Sequence, residues 1–185
     1  MGLALPKMSF AEFLDWEQGQ QERHEFFKGE IFGMVGATAR HNRVILNLAG
    51  GLLAHLDGTP CQVFSETMKV QLADEAVLYP DLMVACGKPL AGDEQVVSDP
   101  TLVIEVLSPS TRGYDKRDKF ILYRTLPSLR EYALVDPVTR AVEVFTLTPT
   151  GWLLTDQTQS AELVLQSVGL RLPMERVFRG TATAA

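Results

Sequence analysis

Two apolar runs each carry a carboxylate. In LVIEVLSPST (102–111) Glu105 stands inside what otherwise reads as a buried strand, and in YPDLMVACG (79–87) Asp81 heads a second such run. A buried carboxylate is costly unless it is neutralised, paired or bound to a cation. Side chains alternate along a strand, so Val103, Glu105 and Leu107 share one face. If the two runs are neighbours in a sheet, their acids approach within a few ångströms and can share a divalent cation. Hard oxygen donors without clustered His or Cys favour Mg²⁺ or Mn²⁺ over zinc.

Lys119 is the next candidate. In YDKRDKFILY (114–123) Asp115, Lys119, Leu122 and, further on, Leu126 recur at helical spacing, which puts the lysine at the edge of an inward face. There it can orient an attacking water or offset negative charge on a phosphate. Glu30 opens a strand on the side shared with Phe32 and Met34 and is taken as a fourth site residue. Each has a plainer reading. Asp81 can cap a turn after Pro80, Glu105 can pair with Arg112, and Lys119 can form an exposed i,i+4 pair with Asp115. Glu30 can be an ordinary hairpin residue, and Glu66 can pair with Lys69. His41 reads as a surface or capping residue at a helix start. Ser108, Ser110 and Thr111 read as helix caps.

The elements that must position these groups follow from pattern. Ser9 and Glu12 form a capping-box signature for a short helix with Phe10, Phe13 and Leu14 on its apolar side. RHEFFKGEIFGMVG (23–36) reads as a hairpin turning at Lys28-Gly29. Residues 40–56 carry a helical period, with Gly50-Gly51 allowing close packing. Four strand-like runs follow: CQVFSETMKVQL, PDLMVACG, PTLVIEVLS and REYALVDP, with a helix over 115–126 between the last two. AVEVFTLT and GWLLTD form an outer hairpin. This order predicts an α/β (α+β) chain with a central mixed sheet flanked by helices. It is read as one domain over 1–185, with a core over 9–178 and a frayed tail over 179–185.

Among 185 residues, 46% are hydrophobic and 22% charged, an ordinary globular composition. No stretch has the roughly 20 apolar residues of a membrane span. The first residues lack a secretory pattern, and Cys61 and Cys86 read as reduced thiols of a cytoplasmic protein. The net charge of −6 argues against a protein that coats nucleic acid non-specifically. Any basic surface must be local, and residues 112–130 are where to look for it.

The segments HEFFKGEI, HNRVILNL, YPDLMV, LVIEVLSPST, YDKRDKFILY and LREYALVDP together resemble the bacterial "putative restriction endonuclease" family of the PD-(D/E)XK nuclease superfamily. The resemblance runs from about Phe10 to Phe178. It implies a restriction-endonuclease-like core with a four-stranded mixed sheet, and Mg²⁺-dependent cleavage of DNA phosphodiesters with Asp81 and Glu105 as metal ligands. The superfamily's usual lysine, two residues after the second acid, is replaced by Leu107, and Lys119 takes that role. Lys119 would position the water or offset transition-state charge, and Glu30 would complete the outer coordination or act as base. Arg112, Lys116 and Arg124 would hold backbone phosphates. The resemblance also implies a homodimer or higher homo-oligomer, and the outer hairpin is its candidate contact. Two other readings compete: a metal-dependent hydrolase of RNA or a small phosphodiester, and a catalytically silent binding module on a nuclease scaffold.

Overall fold

The structure, a computed structural model, describes residues 7–33, 36–108 and 115–181, and of Lys116 only the backbone. Helix α1 (Phe10–Glu17) begins at Ser9, whose side chain accepts from the Glu12 amide while the Glu12 carboxylate accepts from the Ser9 amide. Strands β1 (His24–Phe27) and β2 (Glu30–Gly33) form the expected hairpin. Its turn residues Lys28 and Gly29 both have positive φ, 47° and 89°, as a twisted two-residue hairpin loop requires.

Helix α2 (Ala39–Leu56) is capped by Thr38. Its Gly51 lets the backbone approach Leu172, since a Cβ there would lie 3.0 Å from a Leu172 methyl. The run 61–72, expected as one strand, divides into β3 (Cys61–Ser65) and β4 (Val70–Leu72). Strand β5 (Ala76–Leu78) was not anticipated. It pairs with both β1 and β4, so the N-terminal hairpin grows into a sheet of order β2-β1-β5-β4.

The central sheet has six strands in the order β10-β9-β8-β7-β6-β3. The members not yet placed are β6 (Leu82–Cys86), β7 (Leu102–Val106), β8 (Glu131–Val135), β9 (Val142–Thr148) and β10 (Gly151–Asp156). All neighbours are antiparallel except β7 and β8. A parallel pair needs a crossover, and this one contains a π-helical turn, Asp115–Lys119, that runs into α3 (Phe120–Tyr123). The hairpin β11 (Glu162–Leu165)/β12 (Leu170–Pro173) and α4 (Met174–Val177) complete the fold.

Two apolar layers sandwich the central sheet. Val44, Leu48 and Leu52 of α2 pack with Leu163, Leu172 and Phe178 against Leu82, Ile104, Ala133 and Val144 on one face. Leu122 and Tyr123 of α3 pack with β4 and β5 against Met83, Val103, Tyr132 and Leu134 on the other.

Two expectations are corrected. Cys61 and Cys86 are not free thiols: they face each other across β3 and β6 and are joined by a disulfide. Antiparallel pairing brings together residues 25 apart in sequence, which spacing alone does not reveal. Residues 179–181 are not loose, because the Asn47 amide donates to the carbonyls of Val177 (3.0 Å) and Arg179 (2.8 Å).

The head of β8 is held by a different device. Glu131 is fully buried, and its carboxylate accepts from the Gln166 and Ser167 amides and the Thr146 and Ser167 hydroxyls. Replacing Glu131 with Ala removes the acceptor of two part-buried amide hydrogen bonds and should destabilise the fold by about 1–3 kcal/mol in urea titrations, without altering chemistry elsewhere.

Candidate active site

The register places the two acids of the sheet opposite each other. Leu82 pairs with Ile104 in the β6–β7 ladder, so Asp81 and Glu105 stand one step beyond that pair. Each also binds the other's strand. The Asp81 amide donates to Glu105 Oε2 (3.3 Å), and the Val106 amide donates to Asp81 Oδ2 (2.7 Å). The two strands are adjacent, as expected, and their acids face each other.

Lys119 reaches the same place from the crossover. Its Nζ lies 2.9 Å from Glu25 Oε1, 3.3 Å from Glu105 Oε1 and 3.4 Å from Asp115 Oδ1. All four residues are buried. The pairing with Asp115 therefore exists, but as part of a buried cluster rather than an exposed helical pair. The Tyr123 hydroxyl also donates to Glu105 Oε1 at 3.3 Å. Leu107 is buried in the apolar layer beside Val103 and Met83.

Glu30 is not part of this constellation. Its side chain is 56% exposed and pairs with Lys7 at 3.5 Å. The acid that the hairpin contributes is Glu25, opposite Phe32 in the register. Glu25 Oε1 also accepts from the buried Tyr79 amide at 3.1 Å. The sequence did carry a signal, an acid set directly before Phe26 and Phe27, but a run of four residues is too short to show which face is covered. His41 was likewise read as a surface residue. It is buried, with Nε2 3.5 Å from Asp81 Oδ2, and Nδ1 makes no hydrogen bond among the described residues. Arg112 lies outside the described residues, and nothing is described of the Lys116 side chain. Arg124 is exposed, with its guanidinium 6.0 Å from the centre of the Phe120 ring and away from the acids' contacts.

Among the described residues four carboxylates, Glu25, Asp81, Glu105 and Asp115, cluster around one permanent cation, Lys119. Burial lifts the Glu105 carboxyl well above its ordinary range. Lys119 opposes that rise, while Asp81, Asp115 and Glu25 add to it. Burial disfavours the Lys119 ammonium, yet Glu105, Glu25 and Asp115 outweigh it and raise its pKa. For His41 burial opposes the charged form, but the hydrogen bond and charge of Asp81 prevail and raise it.

These acids border a cavity of about 620 Å³ that also touches His41, Glu66, Ser108 and Val138. An excess of buried carboxylates around an open cavity suits a hard divalent cation. Among the described residues no group of three His, Cys, Asp or Glu side chains is arranged to hold a metal. Asp81 and Glu105 would thus be a two-carboxylate site, with the other positions left to water or substrate oxygens, a habit of Mg²⁺.

The elements thus define a mixed sheet flanked by helices, with two facing acids on its central antiparallel pair. The chain belongs to the family described as "Uma2: Putative restriction endonuclease", which matches residues 10–175. It is similar to two proteins of Synechocystis sp., both named as uncharacterized. One, slr1290, is 35% identical, with 96% of this chain and 94% of that one covered. The other, sll1609, is 38% identical over 80% of this chain and 86% of that one. Its fold resembles a crystal structure titled a putative nuclease belonging to DUF820 from Anabaena variabilis, with TM-score 0.75 and 19% identity, covering 95% and 99% of the two chains.

Because the folded Glu105 pKa is raised above the ordinary 4.5, its stabilising contribution is full below that value and is lost as pH rises through the raised one. In metal-free buffer Glu105→Gln should therefore melt higher than the parent protein, by a margin that grows with pH. Lys119→Met removes the shared cation and should destabilise by about 3–5 kcal/mol, read by urea denaturation.

Proposed function

We propose that this protein is a Mg²⁺-dependent endonuclease that hydrolyses DNA phosphodiester bonds. The observation that supports it most is the buried set of facing acids and lysine at the mouth of the cavity. Asp81 and Glu105 hold the ion, which would supply charge neutralisation and Lewis-acid polarisation of a phosphate oxygen. Lys119, fixed by Glu25 and Asp115, stands beside Glu105 to orient the attacking water and offset charge growing on the phosphate. His41 steadies Asp81 through Nε2. Arg124 supplies phosphate contacts, together with Arg112 and Lys116.

The reading places the protein in the cytoplasm, where the Cys61–Cys86 bridge meets a reducing pool. No helix among the described residues is long and apolar enough to cross a membrane. Self-association through β9 and β10 fits the exposure of Leu147, Leu153 and Leu154 on that hairpin. One observation favours the competing reading of a silent module: Lys119 is already engaged by three carboxylates.

Mn²⁺ calorimetry and DNA cleavage separate the two readings. The wild type should bind Mn²⁺ with release of protons, more tightly as pH rises, and should nick DNA in Mg²⁺ or Mn²⁺. Asp81→Ala/Glu105→Ala should lose both properties. Equal cleavage by the two proteins, or no Mn²⁺ binding by the wild type, would refute the enzyme.

A further inference from the structure

A second and larger cleft, of about 1180 Å³, abuts the acidic cavity and shares Thr38, Ala39, Glu66 and Tyr79 with it. Ligand pockets for single small molecules run about 300–1,000 Å³, so this space suits a length of polymer. Six of its twenty lining residues are carboxamides: Gln18, Gln20, Gln21, Asn42, Gln71 and Gln95. Gln18, Gln20 and Gln71 are each tied through Nε2 to a nearby backbone carbonyl, which fixes the plane of the amide and leaves its oxygen available. The side chains of Gln21, Asn42 and Gln95 are exposed and have no hydrogen-bond partner among the described residues.

The charges in the cleft point away from a duplex. Arg23 and Lys69 are its cations, against Glu17, Glu22 and Glu66. Duplex DNA carries one negative charge per about 1.7 Å of its axis and is held through many phosphate contacts. A lining of amides with a net negative charge offers few of these. A planar amide instead presents a donor and an acceptor together, the pattern that reads the edge of adenine. In an unpaired strand the base edges are free to meet it. The Arg23 guanidinium lies 5.9 Å from the centre of the buried Tyr79 ring, and its outer face offers a surface on which a base can stack.

We propose that this cleft binds an unpaired stretch of DNA with its bases turned toward the amides, leading the adjoining phosphodiester to Asp81 and Glu105. The inference deepens the endonuclease reading and rests on it for the fate of the strand, though not for its binding. The substrate is then single-stranded or locally melted DNA rather than an intact duplex.

The test uses the full chain in EDTA, where nothing is cut, and fluorescence anisotropy of a labelled adenine-rich oligodeoxynucleotide, alone or annealed to its complement. The single strand should bind at least about tenfold more tightly than the duplex, and Gln21→Ala/Gln95→Ala should weaken it about tenfold. Circular dichroism should show that this variant keeps its fold. The log of the affinity should fall with the log of salt concentration with a shallow slope, about −1.4 for two cations. Duplex binding as tight as single-strand binding, a slope several times steeper, or an unaffected double variant would overturn the assignment. Amide-dependent strand binding without metal-dependent cleavage would remove the nuclease reading and leave the cleft assignment standing. Cleavage of duplex DNA that is indifferent to the two substitutions would do the reverse.

Discussion

One ammonium group holds the centre of this molecule together. Lys119 reaches from the crossover to Glu25 in the small sheet, Glu105 in the large sheet and Asp115 at the start of its own turn. Three pieces of chain distant in sequence therefore meet through charge as well as through apolar contact. Inside a protein, where the effective dielectric is far below that of water, such attractions are strong, and so are the repulsions among the acids. The acids draw the lysine inward against the penalty of burial, and that keeps the crossover seated on the sheet. The apolar layer of Leu122, Tyr123 and Leu129 then closes over the remainder of that face.

The same geometry explains how a lysine can move within a chain without leaving a site. Alternation along β7 puts residue 107 on the face of Val103 and Glu105, so a lysine there would project toward the acids. Leu107 instead joins Met83 and Val103 in the core. The π-helical turn lies over that face, and the extra residue in its backbone spacing lets Asp115 and Lys119 both point down at Glu105. Two routes, along the strand or from above it, deliver a cation to one spot. What has to be kept is the meeting point, and the element that supplies it can change.

Legibility in the sequence followed the length of each pattern. Asp81 and Glu105 could be read because long apolar runs made each acid an interruption, and antiparallel neighbours then had to bring them face to face. Lys119 could be read from the spacing of Asp115, Leu122 and Leu126. Glu25 gave no such signal, because it and Glu30 sit in one hairpin of two four-residue strands, where alternation has almost no length in which to declare itself. Pairing with β5 decides the matter by covering Glu25 beside Tyr79. That pairing is non-local, and β5 itself is three residues long. His41 was hidden for a related reason. Its place at the first turn of α2 looks like surface until the helix is laid across the head of β6. The Cys61–Cys86 bridge likewise depends on the register between β3 and β6, which local sequence does not state.

A buried acid need not signal chemistry, and Glu131 shows how this fold handles one that does not. Two amides and two hydroxyls from two separate segments saturate its carboxylate with neutral donors, and no ion is required. Glu105 is treated differently. It receives the Asp81 amide, the Tyr123 hydroxyl and a share of one lysine, while three further carboxylates raise the cost of its charge. Packing alone would favour a neutral residue there, since replacing buried charges by neutral groups of similar volume is often neutral or stabilising. Among the described residues Glu105 and Asp81 have no such full set of neutral donors, and both line the cavity. On the proposed reading, a divalent ion would complete their balance of charge.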